Sequence, residues 1–196
     1  MDRLLDEIES YWSTRTEGYS EVNEKELKGM QKKAWLKTLE SGFLEKKLSD
    51  NDKEQLRILD IGTGPGFFPM ILAEAGYHVT AVDYTPGMLE KAAENAAKFI
   101  GEKSSNIEFK RMDAQALEFE DESFDVIISR NLTWNLPHPD QAYGEWLRVL
   151  KKGGKLLNFD ANYGATNFAE TSGLPENHAH NQLGNSLMQE CEDIKR

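Results

Sequence analysis

The chain has 196 residues, 39% of them hydrophobic and 29% charged, which suits one domain with a single substantial core and an added helical segment. Its net charge of −11, with no compact Lys/Arg stripe, disfavours a nucleic-acid partner. No run reaches the roughly 18–20 apolar residues of a membrane span, the acidic start lacks a secretion signal, and the lone Cys191 has no internal disulfide partner, so a cytoplasmic location is expected.

Residues 1–48 read as helical. Leu4, Leu5, Ile8, Tyr11 and Trp12 form one stripe at helical spacing. After a break at Gly18, Leu27, Met30, Ala34, Trp35 and Leu39 form another, and core packing accounts for most of both stripes. Residues 49–53 (SDNDK) read as a polar loop that closes the helical part. The pattern then changes. Residues 56–61 (LRILDI) are a short apolar strand, followed by the turn GTGPG and an apolar helix over 67–75. Phe67 and Phe68 are placed against the sheet, and Gly76 is the C-cap signal. A second strand covers 78–82. The next helix starts with Thr85 as N-cap and Pro86 in first position, and carries Met88, Leu89, Ala92, Ala96 and Ile100 on one face. Strands at 107–110 and 124–129 follow, then a helix over 139–150 closed by Lys151, Lys152 and Gly153, and a fifth strand at 155–159. Strands alternating with helices predict an α/β, doubly wound, mainly parallel sheet. Residues 164–196 carry only a weak helical pattern at 183–194.

In such a sheet ligands sit at the carboxyl ends of the strands, where the strand order reverses. The sequence marks that place with Asp60, Ile61, Gly62, Thr63, Gly64, Pro65 and Gly66. A backbone that turns sharply and lies against a ligand needs residues without a Cβ, and the opening amides of the helix then face acceptor groups. A dinucleotide site asks for G-x-G-x-x-G, but here Phe67 holds the position of the third glycine and Gly66 comes one residue early. The spacing is G-x-G-x-G behind an acid, which counts against an NAD-linked oxidoreductase.

Asp60 to Gly66 resembles the first signature of class I S-adenosylmethionine-dependent methyltransferases, whose loop wraps the amino-acid end of the cofactor. The resemblance implies a Rossmann-like fold and a cofactor, S-adenosylmethionine, released as S-adenosylhomocysteine. It extends to Asp83, 21 residues after Gly62, as the acid for both ribose hydroxyls. Tyr84 and Met88 follow on the same side of the implied site. Met112, Asp113 and Ala114 resemble the adenine pocket, with Asp113 accepting from the exocyclic amine and Ala114 offering its amide. Residues 146–154 (WLRVLKKGG) are similar to a helix-turn-strand segment these enzymes share, so the likeness covers about residues 56–160.

Residues 11–15 (YWSTR) with Tyr19 look like the leader of the family's small-molecule, ubiquinone/menaquinone-biosynthesis-like branch, where it folds over the cofactor as a lid. The implied organisation is a helical lid over 1–50, the cofactor domain over 51–163, and a C-terminal segment over 164–196. The family's sheet usually ends in two further strands. Their apparent absence implies a trimmed C-terminus or a short helix near 183–194 in their place, with an open sheet edge as a site for a homodimer. The implied reaction is methyl transfer to a small-molecule acceptor by in-line displacement, and the alternative is a non-catalytic cofactor-binding or regulatory module. SRNLTW after the fourth strand lacks the Pro-Pro signature of the family's amino-group enzymes acting on nucleic acid or protein amides.

Acceptor-side candidates are Tyr19, Arg130, Asn131, Trp134, His138, Asp160 and Tyr163, with Tyr19 and Arg130 also on the cofactor side. A base is required only if the acceptor carries a proton that must leave, and His138, between two prolines, reads first as a helix-start residue. Trp134 reads equally as substrate wall or core. His178 and His180 form H-x-H without a nearby cysteine or carboxylate cluster, so no metal is expected.

Overall fold

The structure, a computed structural model, describes residues 3–44 and 48–160. Its centre is a five-stranded sheet in the order β3-β2-β1-β4-β5, every neighbouring pair parallel. The strands are β1 (Arg57–Ile61), β2 (His78–Asp83), β3 (Ile107–Arg111), β4 (Phe124–Arg130) and β5 (Leu150–Phe159). The helices are α1 (Arg3–Ser13), α2 (Thr16–Lys28), α3 (Gln31–Phe43), α4 (Asp50–Gln55), α5 (Phe67–Glu74), α6 (Pro86–Ile100) and α7 (Pro139–Val149). The doubly wound parallel sheet expected from the alternation of elements is therefore present.

Successive strand residues point to opposite faces, and two cores follow from that period of two. Ile58, Val79, Ala81, Val126 and Ile128 share one cluster with Leu39 and Phe43 of α3, with α5, and with Ala96 of α6. Leu59, Ile61, Val82 and Ile127 share the other with Ala142, Trp146 and Val149 of α7. Trp35 of α3 meets Phe68 of α5 and Phe159 of β5 edge-on, each at 5.2 Å. Thus α3 belongs to a core layer of the sheet.

Four local expectations need correction. The N-terminal helices break at Thr14 and Arg15, and Gly18 lies inside α2. Hydroxyls explain the place: Ser13, Thr14 and Thr16 bond back to the carbonyls of Glu9, Tyr11 and Trp12, competing with the helix at that turn. Met30 stands at the α2–α3 junction, 88% exposed, outside the buried stripe. Residues 49–53 are no loop. Ser49 accepts from the Asp52 amide while the Asp52 carboxylate accepts from the Ser49 amide, and this capping box starts α4. Finally, α7 ends at Val149, and Lys151 and Lys152 pair with Asp125 and Glu122 instead of the helix end. Leu150 already pairs with Phe124, and residues 151–154 bulge out before Lys155 meets Val126.

The described residues belong to one unit that ends at Asp160. Tyr163, His178, His180, Cys191, the pattern at 183–194 and any further strands lie outside the described residues. Among the described residues no helix is long and apolar enough to cross a membrane.

Trp146 links the second core to the loop beyond β3. It is fully buried, and its Nε1 donates to the Ala114 carbonyl at 2.9 Å. Trp146→Phe keeps most of the apolar bulk but leaves that carbonyl without its donor, so a loss of about 1–3 kcal/mol is expected. Urea unfolding checks it, and an unchanged midpoint would show that the bond contributes nothing net.

Candidate active site

The carboxyl ends of the inner strands β1, β2 and β4 and the loop after β3 open on one cavity at the switch between β1 and β4. Its floor is the turn after β1. The amides of Gly62 and Thr63 both donate to the Val82 carbonyl, at 2.9 and 3.0 Å, which ties the turn to β2. Gly64 and Gly66 adopt φ of +53° and +89°, where any side chain strains the backbone. At Gly66 a Cβ would come within 3.1 Å of the Ala92 Cβ, so this glycine lets α6 pack close to the turn. At Gly64 a Cβ would meet no protein atom within 4 Å; the residue borders the open cavity.

Three carboxylates gather here. Asp83 ends β2; its Oδ2 accepts from the Gly64 amide at 2.8 Å and its Oδ1 from the Thr85 amide at 2.9 Å. Thr85 precedes α6 as expected, but its side chain makes no capping bond. Burial pushes the Asp83 carboxyl upward, and the Thr85 and Gly64 amides hold it back. Asp113, just past β3, accepts at Oδ1 from the Gln115 amide at 2.8 Å and from Gln115 Nε2 at 3.2 Å. Asp60 is buried within β1, 2% exposed. Burial pushes its carboxyl up to about 7; the Thr63 hydroxyl opposes that, the Asp83 charge adds to it, and Arg130 opposes it.

Arg130 is the cation on the cavity wall, and α2 engages it. Its guanidinium donates to both Glu26 oxygens, at 3.0 and 2.7 Å, and lies over the rings of Trp35 and Phe67, 4.9 and 5.4 Å from their centroids. Leu5, Ile8 and Trp12 of α1 and Tyr19 of α2 roof the cavity, and Asn131, Leu132, Asn135, Leu136 and Pro137 form its far wall. Trp12 meets Tyr19 edge-on at 5.2 Å and Trp134 at 6.3 Å. The Arg111–Glu9 pair, 3.0 Å apart, fastens α1 to the end of β3.

The wall thus brings together Tyr19, Gly62, Gly64, Asp83, Tyr84, Met88, Met112, Asp113, Ala114, Arg130 and Asn131. Asp60, Thr63 and Gly66 are not on it; they belong to the strand and turn behind it. His138 is exposed, does not line the cavity, and precedes α7 as its N-cap, with its amide on Gln115 Oε1 at 2.7 Å. Trp134 is 44% exposed beside Trp12 and donates to the Asn131 carbonyl. Asp160 is exposed and accepts from the Thr133 amide at 3.0 Å. Sequence reasoning treated Leu5 and Ile8 as core and overlooked Glu26 and Gln115. Only Gln115 had a signal, since an Asp two residues earlier favours a turn closed by its own carboxylate.

The methyltransferase domain family matches residues 59–158. The chain belongs to the class I S-adenosylmethionine-dependent methyltransferases. It is 38% identical over 101 residues to the demethylmenaquinone methyltransferase of Clavibacter sepedonicus, covering 52% of this chain and 39% of that protein. It is 37% identical over 106 residues to the arsenite methyltransferase of Halobacterium salinarum, covering 53% and 26%. Among solved structures, it resembles phosphoethanolamine N-methyltransferase 2 of Haemonchus contortus, bound to phosphomonomethylethanolamine and S-adenosylhomocysteine. That likeness has a TM-score of 0.52 and 32% identity over 63% of this chain and 27% of that one. The matched stretch therefore spans less than half the length of each of these relatives.

The raised Asp60 carboxyl links folding to pH. Between about 4 and about 7 the folded protein holds a proton that the unfolded chain has released, so this group's contribution to stability falls as pH rises and is flat above 7. Asp60→Asn removes that dependence, at most about 1.4 kcal/mol per pH unit. The stability difference between variant and wild type, from denaturant unfolding at pH 4, 5.5 and 7, is expected to move steadily in the variant's favour. A constant difference would place the carboxyl in its ordinary range.

Proposed function

We propose that this methyltransferase domain binds S-adenosylmethionine in the cavity between β1 and β4 and transfers its methyl group to a small-molecule acceptor, releasing S-adenosylhomocysteine. The observation that carries the reading is the charge of the site. Asp83 and Asp113 meet on the cavity wall at the strand ends, with Asp60 buried behind them, while the nearby cation, Arg130, is held by Glu26. Such a field favours a ligand bearing a sulfonium and an ammonium over one bearing a pyrophosphate.

The residues present suit that cofactor. Asp83 lines the cavity, and its two oxygens, held by the Gly64 and Thr85 amides, form an acceptor pair that suits a vicinal diol. Gly64 leaves open space at the turn where the amino-acid end would lie. Met88 and Met112 supply apolar wall, and Asp113 and Ala114 stand at the adenine end. When bound, the cofactor supplies a methyl already activated by positive sulfur. The chain's own contribution is to align the acceptor and exclude water with Leu5, Ile8, Trp12, Leu132 and Leu136. The cavity measures about 100 Å³, below the roughly 300–1,000 Å³ of ligand pockets, so the reading requires its roof to move outward on binding. Helix α1 suits that motion, because the exposed Arg111–Glu9 pair holding it is worth about 0–1 kcal/mol. The lone Cys191 supports action in a reducing cytoplasm, and a sheet edge left open after the fifth strand would offer a second copy a pairing surface.

Calorimetric titration with S-adenosylhomocysteine, with NAD as control, tests the reading. Micromolar binding of the first and none of the second is expected. Gly64→Ala separates binding from folding: the open space keeps its stability cost to about 1–2 kcal/mol of backbone strain, while the added methyl enters ligand space and removes most of the affinity. Preference for NAD would overturn the assignment. Tight cofactor binding without methylated product across a broad acceptor panel would favour the non-catalytic module.

A further inference from the structure

Gln115 is buried, 3% exposed, between the two sides of the cavity. Its side-chain Nε2 donates to Asp113 Oδ1 at 3.2 Å, and its Oε1 accepts from the His138 amide at 2.7 Å. The orientation of this amide is not free. His138 offers a donor and Asp113 an acceptor, so only one way round satisfies both. The Gln115 backbone is fixed as well, with its amide on Asp113 Oδ1 and its carbonyl accepting from Gln141 Nε2 at 3.0 Å. Both strong donors fall on Oδ1. Oδ2 lies 3.5 Å from Nε2, which leaves it as the oxygen available to a ligand.

We propose that Gln115 is a positioning residue that presents one oxygen of Asp113 to the exocyclic amine of the cofactor's adenine and, through the same amide, pins the far wall of the cavity at His138. The inference rests on the cofactor reading above. A neutral donor is the suitable partner, because it orients the carboxylate without cancelling the charge that makes it a strong acceptor. The pinned residue follows Pro137, which lines the cavity, so one buried side chain sets the geometry of the adenine end and of the acceptor-side loop together.

The test compares the affinity of the full chain for S-adenosylhomocysteine with that for its 6-deamino (purine riboside) analogue, in which the 6-amino donor is replaced by hydrogen and N1 remains an acceptor. Wild type is expected to prefer the amino compound by about tenfold or more, the scale for a hydrogen bond to a charged group. Gln115→Met, similar in volume but without the amide, should shrink that preference towards parity and expose the His138 amide to hydrogen exchange. Gln115→Glu gives the sharper result. Its carboxyl faces Asp113 and the His138 loop. Protonated, it matches the glutamine amide in shape, donates to Asp113 and accepts from His138; ionised, it repels Asp113. Its preference for the amino compound should therefore be close to wild type at about pH 5 and largely lost at about pH 8, whereas wild type shows no such recovery. A folded Gln115→Met that keeps full preference, or a Gln115→Glu preference that follows wild type across pH, would overturn the role of Gln115 alone. A wild type that binds neither nucleoside would overturn the cofactor reading and this inference with it.

Discussion

The site depends first on what the Asp83 carboxylate and its own backbone hold. One oxygen takes the Gly64 amide of the turn after β1, and the other takes the Thr85 amide at the start of α6. Its carbonyl takes the Met112 amide, which begins the loop beyond β3. Three segments far apart in sequence are thus fastened to one residue at the end of β2. A serine or asparagine would not offer two equivalent acceptors of full negative charge, and charge-assisted bonds are the stronger kind. The same residue lines the cavity, so the group that shapes this wall is also the one proposed to meet the ligand.

That economy has an energetic cost. Asp60 and Asp83 both carry carboxyls that burial raises, and the Asp83 charge makes Asp60 harder still to ionise. An unliganded protein gains nothing from this crowding; a fold selected for stability alone would replace Asp60 with an apolar or amide side chain. Retaining strain of this sort at a binding site fits a ligand that brings compensating positive charge. Arg130 could have relieved it, yet Glu26 takes both faces of its fork, and the pair is clamped over Trp35 and Phe67. The guanidinium therefore serves to join α2 to the sheet, and the negative character of the cavity survives beside it.

Much of this was legible in the sequence, for reasons that can be named. Short apolar runs separated by amphipathic helices identify a parallel sheet because both faces of each strand are buried, and the clusters around Ile58 and Leu59 confirm that burial. The glycine turn and the acids at the strand ends were visible because each depends on residue type at a short spacing. What escaped was long-range or cooperative. Glu26 meets Arg130 across 104 residues of chain, and no local pattern announces such a pairing. Gly18 looked like a breaker, but the hydroxyls of Ser13, Thr14 and Thr16 act together one turn earlier. Residues 49–53 looked like a loop by composition, while the arrangement of Ser49 and Asp52 is that of a helix start.

The same distinction separates the two halves of the cavity. The side proposed for the cofactor is built on strand ends and turns locked by backbone bonds, such as those from Gly62 and Thr63 to Val82, and so tolerates little variation. The side proposed for the acceptor is built from α1, attached by a surface ion pair and ring edges, and from the loop after β4, where Asn131 adopts a left-handed φ of +56° and its amide donates to the Phe159 carbonyl at 2.8 Å. Loops on a rigid scaffold are where related enzymes diverge in substrate while keeping one reaction. On the proposed reading, a loop that is free to diverge must nevertheless hold the acceptor in line with a methyl placed by the other half, and misplacement of about 1 Å is costly in rate. Gln115, buried and bonded to both halves, answers that requirement. It lets the far wall change its surface without losing its register to the strand ends, because the connection runs through a polar amide of fixed orientation and not through apolar contact alone.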